Sequence, residues 1–278
     1  MTFSIVARSD DGLSWGVAVA SKFLAVGSAV PAAAAGVGAV ATQAFANVSY
    51  KPRGLALLTN GLSAQQVVDA LTGADDGREQ RQLGIVDAAG RAATFTGSEC
   101  NAWAGGRALE NVAAQGNILT GPEVIDSMIA AFEAAPHTLP LSRRLLAALS
   151  AGDRAGGDSR GRQSAALYVV AADAGYGGFD DVAVDLRVDD HPTPVRELER
   201  LLDVHDMLFG TPDPTTLLPL TGELAAEVSA LLAQVGIADS TVDQSLNHWA
   251  GIENYEERMV PGYIDPPVLA ALRQAAGA

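Results

Sequence analysis

Ser4-Ile-Val-Ala-Arg-Ser-Asp-Asp-Gly12, followed by Trp15-Gly-Val-Ala-Val19, is an aliphatic run, an Asp–Gly turn and a second aliphatic run. Asp and Gly tolerate the positive φ that tight turns require, so the stretch reads as a β-hairpin. The pattern recurs in Leu83-Gly-Ile-Val-Asp87-Ala-Ala-Gly90 with 91–95, and in Ala166-Leu-Tyr-Val-Val170, Asp173 and Gly175 with Val182-Ala-Val-Asp-Leu186. Runs such as Ile-Val and Val-Ala-Val lack clean alternation, which suits strands covered on both faces. Residues 36–43 and 112–115 read as further strands. Helices fall between the hairpins in pairs, 52–60 with 63–71 and 122–134 with 139–149, before a longer one over 194–209. Ser63 suits an N-cap and Pro122 a first turn. Hairpins needing cover on both faces, with helices in pairs, predict a layered sandwich of class α/β, in the α+β sense, with helices outside.

Gly210-Thr-Pro-Asp-Pro214 is a linker by composition. It divides the 278 residues into domains 1–209 and 215–278, the second reading as three short helices over 223–235, 242–249 and 266–274. Hydrophobic content of 48% against 18% charged residues excludes a disordered chain. One cysteine excludes a disulfide framework or a multi-cysteine metal site. A net charge of −15, with Lys22 and Lys51 the only lysines, argues against nucleic acid and against polybasic membrane docking. Residues 23–50 carry no charge, but Pro31, the glycines and the dominance of alanine oppose a membrane span. The first ten residues read as a strand with acids, not as a basic leader, so a cytoplasmic location is expected. The Ala/Gly-rich segment suggests an exposed edge or face and hence a homodimer.

Thr2 opens the first strand. Removal of Met1 would leave a threonine whose hydroxyl can attack while its own α-amine takes the proton. Such an amine titrates near ~7.7–8.0, so part of it is neutral at physiological pH. A four-residue loop over 10–13 makes paired positions sum to 23 and sets Ser21 opposite Thr2; one extra residue sets Lys22 there instead. Either register leaves a lysine within a residue of Thr2, where an ammonium would lower the amine pKa and stabilise oxyanion charge.

Thr2-Phe-Ser-Ile-Val-Ala-Arg and Gly16-Val-Ala-Val-Ala-Ser-Lys-Phe-Leu-Ala-Val-Gly27 resemble a bacterial family of unknown function grouped with the N-terminal-nucleophile (Ntn) hydrolases. The resemblance continues through Gly36-Val-Gly-Ala-Val-Ala-Thr-Gln43, Arg81-Gln82, Gln115-Gly-Asn-Ile-Leu119, 155–164 and 185–191, and spans residues 2 to 205. It implies a four-layer αββα sandwich and amide hydrolysis by an N-terminal Thr, Ser or Cys. Two departures stand out. Proteasome-type subunits place an aspartate near the end of the second strand, where this chain has Ser21-Lys22. Their active-site lysine has no counterpart near Thr42-Gln43.

The remaining candidates are polar groups in loops or apolar runs. Asp158 and Arg160, in the Gly-rich loop that leads to Gln163, could orient Thr2 or hold a carboxylate. Asn117, after Gln115-Gly116, could supply an oxyanion contact. Gln43 and Asn47 sit in an apolar stretch and need partners if buried. Asp189-Asp190-His191 precedes a Pro-initiated helix and reads as its acidic start rather than a metal site. Cys100 reads as a small buried hydrophobe, and His137, His205 and His248 support no triad. Neither a metal nor a cofactor is expected. Residues 223–237, 254–258 and 263–273 are similar to a peptidoglycan-binding-like module, in which Trp249, Tyr255 and Tyr263 form a small core or stack on sugar.

Two functions follow as expectations. One is an Ntn-type amidohydrolase acting on a small-molecule or peptide-like amide. Its catalytic groups would be Thr2, Lys22, Asn117 and Asp158, with Ser21, Gln43, Asn47, Arg160 and Gln163 around the substrate. The other is a non-catalytic protein of the same fold that binds a ligand or a peptidoglycan fragment.

Overall fold

The computed structural model describes residues 2–277. In chain order the first part comprises β1 (Thr2–Arg8), β2 (Ser14–Ser21), α1 (Val26–Ala29), β3 (Pro31–Ala34), β4 (Gly38–Ala44), α2 (Tyr50–Thr59) and α3 (Ala64–Gly73). Next come β5 (Arg81–Asp87), β6 (Ala92–Thr96), β7 (Gly105–Leu109), β8 (Val112–Asn117), α4 (Glu123–Ala134) and α5 (Leu141–Arg154). The remaining elements are β9 (Ser164–Ala171), β10 (Val182–Val188), α6 (Pro194–Phe209), β11 (Leu218–Pro219), α7 (Gly222–Gln234), α8 (Val242–Glu253), β12 (Tyr263–Ile264) and α9 (Pro266–Ala275). The chain falls into two compact units, one up to Arg200 and one from Leu201 onward.

The first unit is a mixed α+β structure with two antiparallel sheets. One has six strands in the order β10-β9-β2-β1-β8-β7, the other four in the order β3-β4-β5-β6. Strands β1, β2 and β8 pack against β4 and β5, α4 and α5 lie against the six-stranded sheet, and α2 and α3 against the four-stranded one. All three hairpins read from Asp–Gly turns are present, and Gly12 takes the φ of +75° that its turn needs. Ser63 caps α3 in a full capping box, donating from its backbone to Gln66 and accepting from the Gln66 amide. Val124, Ile125, Met128, Ile129 and Phe132 form the buried stripe of α4 at helical spacing.

Phe3 pairs with Ala20, which fixes the first hairpin at a sum of 23. Of the two registers the sequence allowed, the one that sets Ser21 beside Thr2 is therefore formed, and Lys22 lies beyond the paired strand. Strand β7 escaped the sequence reading. Gly105-Gly-Arg-Ala-Leu109 has no β-branched residue, and its pairing with β8 overrides its weak propensity.

The second unit packs α7, α8 and α9 around Val228, Leu232, Leu246, Trp249, Ile264, Val268 and Leu272. Trp249 is core, with Tyr255 edge-on at 5.6 Å, whereas Tyr263 is exposed. Arg258 pairs with the buried Asp265 at 2.5 Å and fixes the start of α9. No helix among the described residues is long and apolar enough to cross a membrane.

Candidate functional site

Side chains alternate across a strand, so the register decides which residues enter the space between the sheets. From the first sheet Thr2, Ser4 and Val6 face inward, beside Asn117, Gln115 and Ala113 of β8 and Ser21, Val19 and Val17 of β2. From the second come Gln43, Ala41 and Ala39 of β4, opposite Gln82, Gly84 and Val86 of β5. The inter-sheet space is thus apolar at the Val6 end and polar at the Thr2 end. Every polar member of that end is buried: Thr2, Ser4, Ser21, Gln43, Gln82, Gln115 and Asn117.

Their hydrogen bonds converge on residue 2. Thr2 Oγ1 lies 3.2 Å from Ser21 Oγ. The Thr2 carbonyl accepts from Gln43 Nε2 at 3.3 Å and from Asn117 Nδ2 at 3.5 Å. Both amides also donate to Gln82 Oε1, at 2.8 and 2.9 Å. Gln82 Nε2 in turn donates to the Gly116 carbonyl at 2.7 Å and to Thr96 Oγ1 at 2.9 Å. One layer deeper, Ser4 Oγ donates to Gln43 Oε1 at 2.5 Å and accepts from Gln115 Nε2 at 2.6 Å. Residue 2 is thereby held from both sheets by uncharged amides.

Gly84 makes room for this layer. A Cβ there would stand 1.9 Å from Gln115 Oε1, which is buried without a hydrogen-bond partner among the described residues. Gly84→Ala must push that amide aside, combining overpacking at roughly 1–3 kcal/mol with disrupted buried bonds of similar size. The expected loss is about 2–4 kcal/mol, a fall in Tm of roughly 5–15 °C in a unit of this length. Thermal unfolding followed by circular dichroism checks it, and an unchanged Tm would show that Gln115 is not confined.

The loop after α5 closes the same end. It bonds to the chain just past β8, with Thr120 N on the Gly157 carbonyl and Ser159 N on the Ile118 carbonyl. It also bonds to the end of β2, where the buried Asp158 accepts from Lys22 N at 2.7 Å. Because β1 lies between those two strands, the loop crosses the start of β1. Asp158 is further clasped by the Arg160 amide at 2.9 Å and by the Arg160 guanidinium at 3.3 Å. Its carboxylate therefore braces the loop and the end of β2.

Several expected groups are placed elsewhere. Lys22 is exposed, and its ammonium donates to the Arg162 carbonyl at 3.3 Å, so only its backbone amide joins this end. Gln163 bonds Ser21 through backbone and turns its side chain to Asp190 at 3.2 Å. Asn47 belongs to a separate cluster around Asp75, whose carboxylate accepts from Asn47 Nδ2 at 2.9 Å, Tyr50 Oη at 2.8 Å and Arg81 Nε at 3.0 Å. Those donors hold the Asp75 carboxyl well below the ordinary range, while burial and the same carboxylate push the Tyr50 phenol up. Cys100 is half-buried rather than fully buried, and desolvation raises its thiol pKa, which disfavours a thiolate nucleophile. No group of His, Cys, Asp and Glu that could hold a metal occurs among the described residues.

Two hollows adjoin the Thr2 end. One, of about 50 Å³, is lined by Phe3, Ser21 and Asp158 among others, room for a water but not a substrate. The other is a cleft of about 380 Å³ lined by Phe45, Gln80, Glu99, Cys100, Asn101 and Asn117. Its size falls within the ~300–1,000 Å³ of small-molecule sites. Asn117 is the shared wall between cleft and network. The exposed residues Gln80, Glu99 and Asn101 went unread in the sequence, because loop side chains that line a cleft leave no periodic signal.

A family model described as "Family of unknown function (DUF1028)" matches residues 2–198, and one described as "Putative peptidoglycan binding domain" matches residues 208–272. Among solved structures, the chain is similar to protein SPO2555 from Silicibacter pomeroyi, described under the same family. The identity is 34% over 81% of this chain and 88% of that chain, with a TM-score of 0.66. It is also similar to Anbu, an ancestral beta-subunit from Yersinia bercovieri, at 13% identity over 74% of this chain and 97% of that one, with a TM-score of 0.31. No curated protein matches the chain.

Proposed function

The chain belongs to the DUF1028 family and carries a peptidoglycan-binding-like module after it, and from that premise we propose an amidohydrolase of the Ntn type with Thr2 as nucleophile. In this reading the two facing sheets and their outer helix pairs form the four-layer αββα sandwich of such enzymes. One observation carries it: the residue that would head the chain after loss of Met1 is gripped by its carbonyl and hydroxyl at the polar end of the inter-sheet space, beside a substrate-sized cleft. Met1 itself lies outside the described residues.

Thr2 Oγ1 attacks the amide carbonyl carbon as its proton passes to the neutral α-amine. The C–N bond breaks when that ammonium protonates the leaving nitrogen. Water then attacks the ester on Thr2, again giving its proton to the amine, and releases the acid. Gln43 and Asn117 act as positioning residues, since both donate to the Thr2 carbonyl. Asp158 and Arg160 hold the loop across the start of β1. The substrate class is a small or peptide-like amide.

Intact-mass analysis of untagged protein tests the premise. A mass lacking one methionine is expected, and retained Met1 in active protein removes Thr2 from the mechanism. A second reading, non-catalytic binding of a cell-wall fragment, is favoured by the helical module and by the Lys22 ammonium, which donates to the Arg162 carbonyl. Retained Met1, together with co-sedimentation with purified peptidoglycan, would favour it instead.

A further inference from the structure

We propose that the cleft beside Thr2 is a subsite for the cationic end of the substrate, an alkylammonium or guanidinium group seated between Glu99 and Phe45. This deepens, and rests on, the assignment of Thr2 as the reacting residue.

The lining supplies three chemical facts. Glu99 brings a carboxylate, one oxygen of which accepts from Gln80 Nε2 at 2.9 Å. Phe45 brings an aromatic ring that is 72% exposed and so open to a ligand. Among the described residues no lysine, arginine or histidine lines the cleft, so a carboxylate or phosphate ligand would meet Glu99 without a counter-charge.

The neighbouring cation is already committed. Arg81 packs over Phe45 at 5.3 Å, but its guanidinium is bound to Asp75 and to the Phe45 carbonyl, which fixes the ring at the mouth of the cleft. A carboxylate beside an aromatic ring is the pairing that recognises organic cations, one by charge and the other by its quadrupole. Gln80, Asn101 and Asn117 add amide dipoles for the rest of the ligand. The chain's net charge of −15 raises the local concentration of cations around this mouth.

The test uses Nα-acetyl-lysine amide and its uncharged analogue Nα-acetyl-norleucine amide, titrated by calorimetry into the full-length protein. The lysine compound is expected to bind about tenfold more tightly, a preference that fades as salt rises. Glu99→Gln should abolish that preference, and because Glu99 is exposed the fold is not at risk. Phe45→Ala should weaken the lysine compound more than the norleucine one. Thr2→Ala should leave binding intact, so failure of the nucleophile assignment would show as acylation retained in that variant, whereas failure of the subsite would show as a missing cation preference in the wild type. Equal binding of the two compounds, no saturable binding of either, or a preference that survives Glu99→Gln overturns the proposal.

Discussion

Thr2→Ala is expected to abolish acylation by p-nitrophenyl acetate while the protein stays folded. The wild-type hydroxyl should give a burst of p-nitrophenolate, one per chain, as the acetyl ester forms. Without it the burst should fall by at least ~10³-fold, since loss of a covalent nucleophile removes the reacting atom itself. The structural cost is small by comparison. The change deletes the contact of Oγ1 with Ser21 Oγ at 3.2 Å. That is worth about 1 kcal/mol, or roughly 2–4 °C in Tm. The carbonyl bonds from Gln43 and Asn117 are to backbone and survive the substitution. Thr2→Ser, which keeps the hydroxyl, should keep the burst. A Thr2→Ala protein that retains it would transfer the chemistry to another group.

Asp75→Ala is expected to be the most destabilising single change in the cluster that holds Asn47, Tyr50 and Arg81. The Asp75–Arg81 pair is 3.0 Å long, with side chains only 11% and 14% exposed. Removing one member of such a pair strands the other charge together with two hydrogen-bond donors, at a cost of about 3 kcal/mol. In Tm that is roughly 6–12 °C. The sign of the pH dependence follows from the lowered carboxyl pKa. A carboxyl lowered in the folded state stabilises fully above its unfolded value of ~3.9, and that stabilisation is lost as pH falls below it. Urea unfolding should therefore show a wide gap between wild type and variant at neutral pH, narrowing below about pH 4. A gap that stays constant into acid would mean that shape rather than charge holds the cluster. Because Arg81 also binds the Phe45 carbonyl, the variant should loosen the cleft mouth as well.

The fold was largely legible because its signals are local. Asp–Gly turns set the hairpins, a Ser63 cap and apolar stripes set the helices, and loop arithmetic left Ser21 or Lys22 opposite Thr2, of which the register forms the first. The network was legible only in pieces. Gln43 stood out as a polar residue in an apolar run, yet its partners Gln82 and Gln115 lie 39 and 72 positions away. Nothing periodic links them. The available signal was a shared property: each occupies an inward-facing position of a buried strand, where an amide must find an amide. Lys22 misled for a related reason. Register places a backbone accurately, but a long flexible side chain goes to whatever acceptor is nearest, here the Arg162 carbonyl. Asn47 and Gln163 likewise turn their amides to distant carboxylates, Asp75 and Asp190, which sequence spacing does not encode.

The most direct test treats untagged protein with p-nitrophenyl acetate and maps the acetyl group by peptide mass spectrometry. The chain has just two lysines, Lys22 and Lys51, so competing amine labelling is easily recognised. A hydroxylamine-labile acetyl ester on an N-terminal Thr2 is the expected result. An unmodified Thr2, still preceded by Met1 in protein that is acylated elsewhere, would contradict it.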